Sequence, residues 1–134
     1  MPYAVGLTLS AAVAAFARVV GLDRDRAFYP TVVIVVAAYY VLFAAMTGSV
    51  ETVLLESVGM FVFLAAAVVG FKWSVWIVVA GLAGHGVFDG LHGYILDNPG
   101  VPHWWPAFCL AYDVGAAGWL AWLIRRDRAR GAAH

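Results

Sequence analysis

Long apolar runs, separated by short polar breaks, organise this chain. Five runs approach the roughly 20 mostly apolar residues that a helix needs to cross a bilayer. They are Tyr3–Val20, Pro30–Met46, Val50–Val69, Trp73–Leu96 and Trp104–Ile124. The breaks are ordinary punctuation. Gly21 to Arg26 is a charged loop, Thr47-Gly48-Ser49 a turn, Gly70-Phe71-Lys72 a tight hairpin, and Asp97 to Pro102 a loop with a Pro-Gly turn. Pro30 and Pro106 fall near helix starts, where a missing N–H costs little. The pattern predicts an all-α integral membrane bundle of about five transmembrane helices filling residues 1–124. A basic tail, 125–134, is expected to be cytoplasmic and frayed.

The basic residues add a direction. Arg18, Arg24 and Arg26 flank the first loop, Lys72 lies in the third, and Arg125, Arg126, Arg128 and Arg130 lie in the tail. With five spans these 8 basic residues all fall on one side, and the positive-inside rule puts that side in the cytoplasm. The N-terminus is then outside and the C-terminus inside, in a bacterial or equivalent cytoplasmic membrane. Four spans would strand the first loop or the tail on the wrong side. Trp73, Trp76, Trp119 and Trp122 near the inner ends, and Trp104 and Trp105 at the outer start of the last run, read as interfacial belts. Phe28-Tyr29-Pro30 and Trp104-Trp105-Pro106 each open a helix after a polar loop, which hints at an inverted repeat.

Composition agrees with a lipid environment. The chain of 134 residues is 64% hydrophobic and 12% charged, with a mean hydropathy of +0.87. Roughly half apolar is usual for a soluble domain. The first run lacks a basic segment before it and is followed by Arg18, so it is expected to stay as a helix and not to be removed as a signal peptide. Equal numbers of basic and acidic residues, 8 of each, argue against a nucleic-acid partner, which requires a basic patch. Cys109 is the single cysteine, which excludes an intrachain disulfide and a cysteine cage for a metal.

The candidate chemistry lies in Gly84-His85-Gly86-Val87-Phe88-Asp89-Gly90-Leu91-His92-Gly93. On a helix His85, Asp89 and His92 share one face at i, i+4 and i+7. Gly86, Gly90 and Gly93 repeat that spacing one residue later, as a stripe against which another helix or a ligand can approach. At 1.5 Å per residue, Asp89 lies roughly 10 Å below the outer end of its helix, Glu56 about 9 Å and Asp113 about 14 Å. Five ionisable side chains from three helices thus reach similar depths. Such groups are costly in a membrane and mark function by default; any one of them alone can also be an interhelical hydrogen bond, a reading that weakens for the whole set. Glu51 and Asp97 lie at the interface and read as solvated. His85 and His92 are about 10.5 Å apart along the axis, too far to share one ion. No resident cofactor is expected. Asp89 with His85 or His92, completed by Glu56 or Asp113, has the chemistry of a mononuclear metal site, and a haem on either histidine is a lesser alternative.

The leading expectation is a small membrane enzyme working by acid/base chemistry, as an isomerase, cyclase or hydrolase, on a lipophilic substrate. Asp89 is its first residue, with His85 or His92 as partner and Glu56 and Asp113 as acids or ligands. Tyr40, Phe88, Trp105 and Tyr112 are expected to line the substrate pocket and to stabilise a cationic intermediate; at most one of Tyr39 and Tyr40 can face it. In residue type the set resembles that of membrane sterol isomerases and membrane terpene cyclases, without a shared motif. P-loop, dinucleotide-binding, zincin and serine-hydrolase signatures are absent. The alternatives are a proton- or cation-coupled carrier, dimeric because five helices make a thin wall, and a subunit without catalysis that packs on a partner through its glycine stripe.

Overall fold

A computed structural model of the chain describes residues 1–132. Among these residues the architecture is helical throughout: α1 (Pro2–Val20), a 3-10 turn (Leu22–Arg24), α2 (Phe28–Thr47), α3 (Val50–Lys72), α4 (Val75–Ile95) and α5 (Trp105–Ala132). Each of the five long helices is long and apolar enough to span a membrane. The protein is an all-α bundle of five such helices. This fits a multi-pass integral membrane protein, and its large exposed side chains, including Leu54, Val58, Phe61 and Val62 along α3, are those that lipid solvates best.

Two helices run past their expected ends. Gly70-Phe71-Lys72 is not a hairpin but the last turn of α3, and the chain reverses at Trp73 and Ser74. Gly70 is there for packing, since a Cβ would come within 2.6 Å of Val78 Cγ2 on α4. The tail is not frayed from Arg125 onward, because α5 continues through it to Ala132. Arg125 and Arg128 reach over the Trp76 ring at 6.0 and 5.8 Å, and Arg126 over Trp122 at 4.9 Å. Cations over indole faces are attractive, and basic side chains suit the negative end of the helix dipole.

The packing is asymmetric. α5 lies between α1 and α4, while α2 packs mainly on α3. α1 comes close to α5 at Gly6, where a Cβ would collide with the Phe108 carbonyl. Because α1 leans on α5 and touches α2 little, a cleft opens between α1 and α2. At the end of the bundle that carries the basic residues, Val33, Ala67, Val78, Leu82, Ala116 and Leu120 form a close-packed apolar core. The polar side chains gather above it, toward the other end.

Candidate functional site

α4 supplies the spine of the site. His85, Asp89 and His92 are buried on its inner face, at 0%, 1% and 2% exposure. Glu56 from α3 and Asp113 from α5 are buried with them. The five residues singled out by helical spacing and depth are therefore brought together, as two imidazole–carboxylate groups one above the other.

The deeper group joins α4 to α5. His85 Nδ1 lies 2.6 Å from Asp113 Oδ2 and 3.3 Å from Asp89 Oδ2. The helices approach closely because α4 has glycine at 86, where a Cβ would already sit 3.3 Å from Val114 Cγ2 and 3.6 Å from Asp113 Cβ. Of the glycine stripe, Gly86 is thus used in packing and Gly90 meets Leu110, whereas Gly93 faces open space. The upper group joins α4 to α3: His92 Nε2 lies 2.6 Å from Glu56 Oε1.

Tyr40 links the two groups. Its hydroxyl donates to Asp89 Oδ1 at 2.6 Å, and its ring stacks on His92 with centroids 4.0 Å apart and planes 15° from parallel. Phe88 packs edge-on against Tyr40 and His92, and Phe63 covers the His85 ring edge-on at 4.7 Å. Aromatic walls of this kind exclude water and strengthen every polar contact inside them.

Two participants lie outside the set singled out from the sequence. Asn98, in the loop between α4 and α5, is buried and donates through Nδ2 to Glu56 Oε1 at 2.8 Å and to the Tyr40 carbonyl at 3.1 Å. The loop folds back because Gly100 lies flat against the Phe43 carbonyl, where no Cβ fits. No local pattern marks such a contact. Cys109 is 2% exposed, with its thiol 3.9 Å from Asp113 Oδ2. Its signal was present, since Cys109 and Asp113 stand at i and i+4 on one helix face. His103, Glu51 and Asp97 are exposed and stand apart from the cluster.

Beside the polar layer lies a groove of about 480 Å³ between α1, α2 and α5. Leu9, Val13, Val35, Tyr39, Trp105 and Tyr112 are among its walls, and Cys109 lies in its lining. Of the four aromatics expected around a substrate, Trp105 and Tyr112 line this groove, while Tyr40 and Phe88 wall the polar layer. Tyr39 and Tyr40 divide in the same way. Cys109 belongs to both compartments, so it stands where groove and polar layer meet.

Several buried polar atoms in the layer have no hydrogen-bond partner among the described residues: Glu56 Oε2, His85 Nε2, Asp89 Oδ2 and Asp113 Oδ1. Buried polar groups are nearly always satisfied, so these atoms are available to a proton, an ion or a substrate. His85, Asp89, Cys109 and Asp113 each offer a ligand atom, and these atoms lie within 4.8 Å of one another. No protein-family model matches the chain, and neither a curated protein nor a solved structure matches it.

Proposed function

We propose that this chain is a small membrane enzyme that performs acid/base chemistry, of isomerase, cyclase or hydrolase type, on a lipophilic substrate. The observation that carries this reading is the adjacency of a buried, doubly paired imidazole–carboxylate layer to an apolar groove open between α1 and α2. In this reading an apolar molecule enters sideways from the lipid and meets Trp105 and Tyr112. Its reacting end passes Cys109 to reach Asp89 and His85. A positioned imidazole with a carboxylate behind it accepts or delivers a proton at neutral pH. Asp113 orients His85 and Glu56 orients His92, each from 2.6 Å. Tyr40 holds Asp89 by donating to Oδ1, which leaves Oδ2 for the proton. The basic end of the bundle faces the cytoplasm of a bacterial or equivalent cell, and the site lies in the outer half of its membrane. Lipids are its partners, and a homo-oligomer is compatible with its exposed apolar faces.

The carrier reading requires a route through the basic end. Below His85 the buried core carries one polar group, the Tyr29 hydroxyl, and no carboxylate or imidazole, which favours an enzyme. The test compares the extractable lipids of bacterial cells holding empty vector, wild type or Asp89→Asn, with equal amounts of protein in the membrane. A lipid species altered by the wild type and restored to vector level by Asp89→Asn is expected. Identical profiles for all three, combined with an Asp89-dependent proton leak in proteoliposomes, would overturn the enzyme in favour of the carrier.

A further inference from the structure

The deeper half of the polar layer has a property that acid/base chemistry does not require. Two i, i+4 pairs face each other across antiparallel helices: His85 with Asp89 on α4, and Cys109 with Asp113 on α5. Side chains with this spacing project together from one helix face, and facing pairs of this kind build metal sites in helical bundles. We propose that His85, Asp89, Cys109 and Asp113 bind one divalent transition-metal ion of borderline softness, such as zinc. The inference holds whichever reaction the chain performs.

Geometry supports it first. Ligand atoms around a tetrahedral zinc with bonds of about 2.0 to 2.3 Å lie roughly 3.3 to 3.7 Å apart. His85 Nδ1 and Asp89 Oδ2 are already 3.3 Å apart, and Cys109 Sγ is 3.9 Å from Asp113 Oδ2. The four ligand atoms span at most 4.8 Å; His85 Nδ1 and Asp113 Oδ2, at 2.6 Å, are closer than two ligands of one ion, and that distance is a hydrogen bond. The proton of that bond and the proton of the Cys109 thiol both leave to solvent when the ion enters, as metal binding at protonated ligands generally requires. Asp89 Oδ2 and Asp113 Oδ1 are both buried without a partner among the described residues, so each carboxylate has an oxygen to offer.

Charge permits it. Two buried carboxylates face a single imidazole here, and every lysine and arginine of the sequence lies in or beside the loops and tail at the opposite end. One imidazolium offsets one carboxylate. A divalent ion with neutral His85 offsets both carboxylates; with the Cys109 thiolate bound, the site keeps one net negative charge, no more than the metal-free group carries, and the Tyr40 hydroxyl stabilises Asp89. The donor set also selects the ion, because a thiol beside imidazole and carboxylates favours zinc-like metals over magnesium or calcium, which take oxygen alone. His92 lies outside the four-residue set and pairs instead with Glu56 on α3.

The experiment loads purified protein in detergent with cobalt(II) as a spectroscopic stand-in for zinc. One equivalent per chain is expected, with tetrahedral visible bands and a thiolate-to-cobalt charge-transfer band. Cys109→Ser should remove the charge-transfer band, Asp113→Asn should weaken binding at least tenfold, and His92→Gln, which keeps a hydrogen-bond donor for Glu56, should leave the spectrum in place. Zinc-edge X-ray absorption of the unmutated protein avoids any dependence on variant folding. It should show one sulfur at about 2.3 Å with nitrogen and oxygen at about 2.0 to 2.2 Å. Failure to bind stoichiometric cobalt or zinc, a spectrum unchanged in Asp113→Asn, or zinc bound without sulfur would each overturn the four-residue site. Loss of metal with lipid conversion intact would leave the acid/base reading standing, and metal bound without any conversion would leave the site standing alone.

Discussion

Asp89 accepts from the Tyr40 hydroxyl at Oδ1, and its Oδ2 lies 3.3 Å from His85 Nδ1 without a hydrogen bond among the described residues. Asp89→Asn keeps the shape and an acceptor for Tyr40 but removes the charge. Conversion of the lipophilic substrate should fall at least about a hundredfold, the scale of general acid–base catalysis, while detergent gel filtration and circular dichroism report a folded protein. A chelator that reproduces the loss in the wild type assigns it to a bound metal; one without effect assigns it to proton transfer. Wild-type conversion by Asp89→Asn would exclude both roles. The upper pair lends itself to a stability test. His92→Ala strands the buried Glu56 carboxylate with Asn98 as its sole remaining hydrogen-bond partner among the described residues. Removing one member of a buried pair costs about 3 to 5 kcal/mol, so thermal unfolding should occur at clearly lower temperature. His92→Ala unfolding like the wild type would mean that the His92–Glu56 pair does not hold α3 to α4. At this scale His85, Asp89 and His92 could be read from the sequence, because i, i+4, i+7 spacing is a property of any helix. Asn98 could not, since its partners lie 42 and 58 positions away and a loop imposes no period.

Between elements, small residues decide which helices touch. Gly6 and Gly93 are both glycines within apolar helices, yet one is pressed against the Phe108 carbonyl and the other faces open space. Gly6→Ala should therefore push α1 from α5 and lower the unfolding temperature, because the obstructing atom is backbone and does not yield. Gly93→Ala should be neutral within about 0.5 kcal/mol or slightly stabilising, as alanine is the better helix former. Equal effects of the two substitutions would refute the packing order, in which α5 lies between α1 and α4. The same logic explains why Gly70 belongs to a helix and not to a turn. A glycine in an apolar sequence signals either a chain reversal or a close crossing, and sequence periodicity does not distinguish them. The continuation of α5 through its basic segment had the same cause, in that Trp76, the partner of Arg125 and Arg128, lies on another helix.

For the whole molecule, the basic residues gather at one end of the bundle because an odd number of spans alternates the loops. Cysteines introduced at exposed His103 and at exposed Asp127 should be labelled by an impermeant reagent from opposite faces, Asp127 from the cytoplasm. The wild type serves as blank, since Cys109 is buried. Labelling of both from one face would end the five-span orientation. The number of helices, their apolar surfaces and the polar stripe of α4 were determined by the sequence alone, because each depends on local composition and on a period of 3.6 residues. Tertiary structure decided which partners those side chains received. Asp113 meets His85, Glu56 meets His92, Tyr40 spans the two, and Cys109 stands between groove and carboxylates, because α5 lies between α1 and α4 and leaves α1 apart from α2. Such pairings depend on rotation and depth of separate helices relative to one another, and these are set by close packing at glycines and by the cost of leaving a buried charge without a partner.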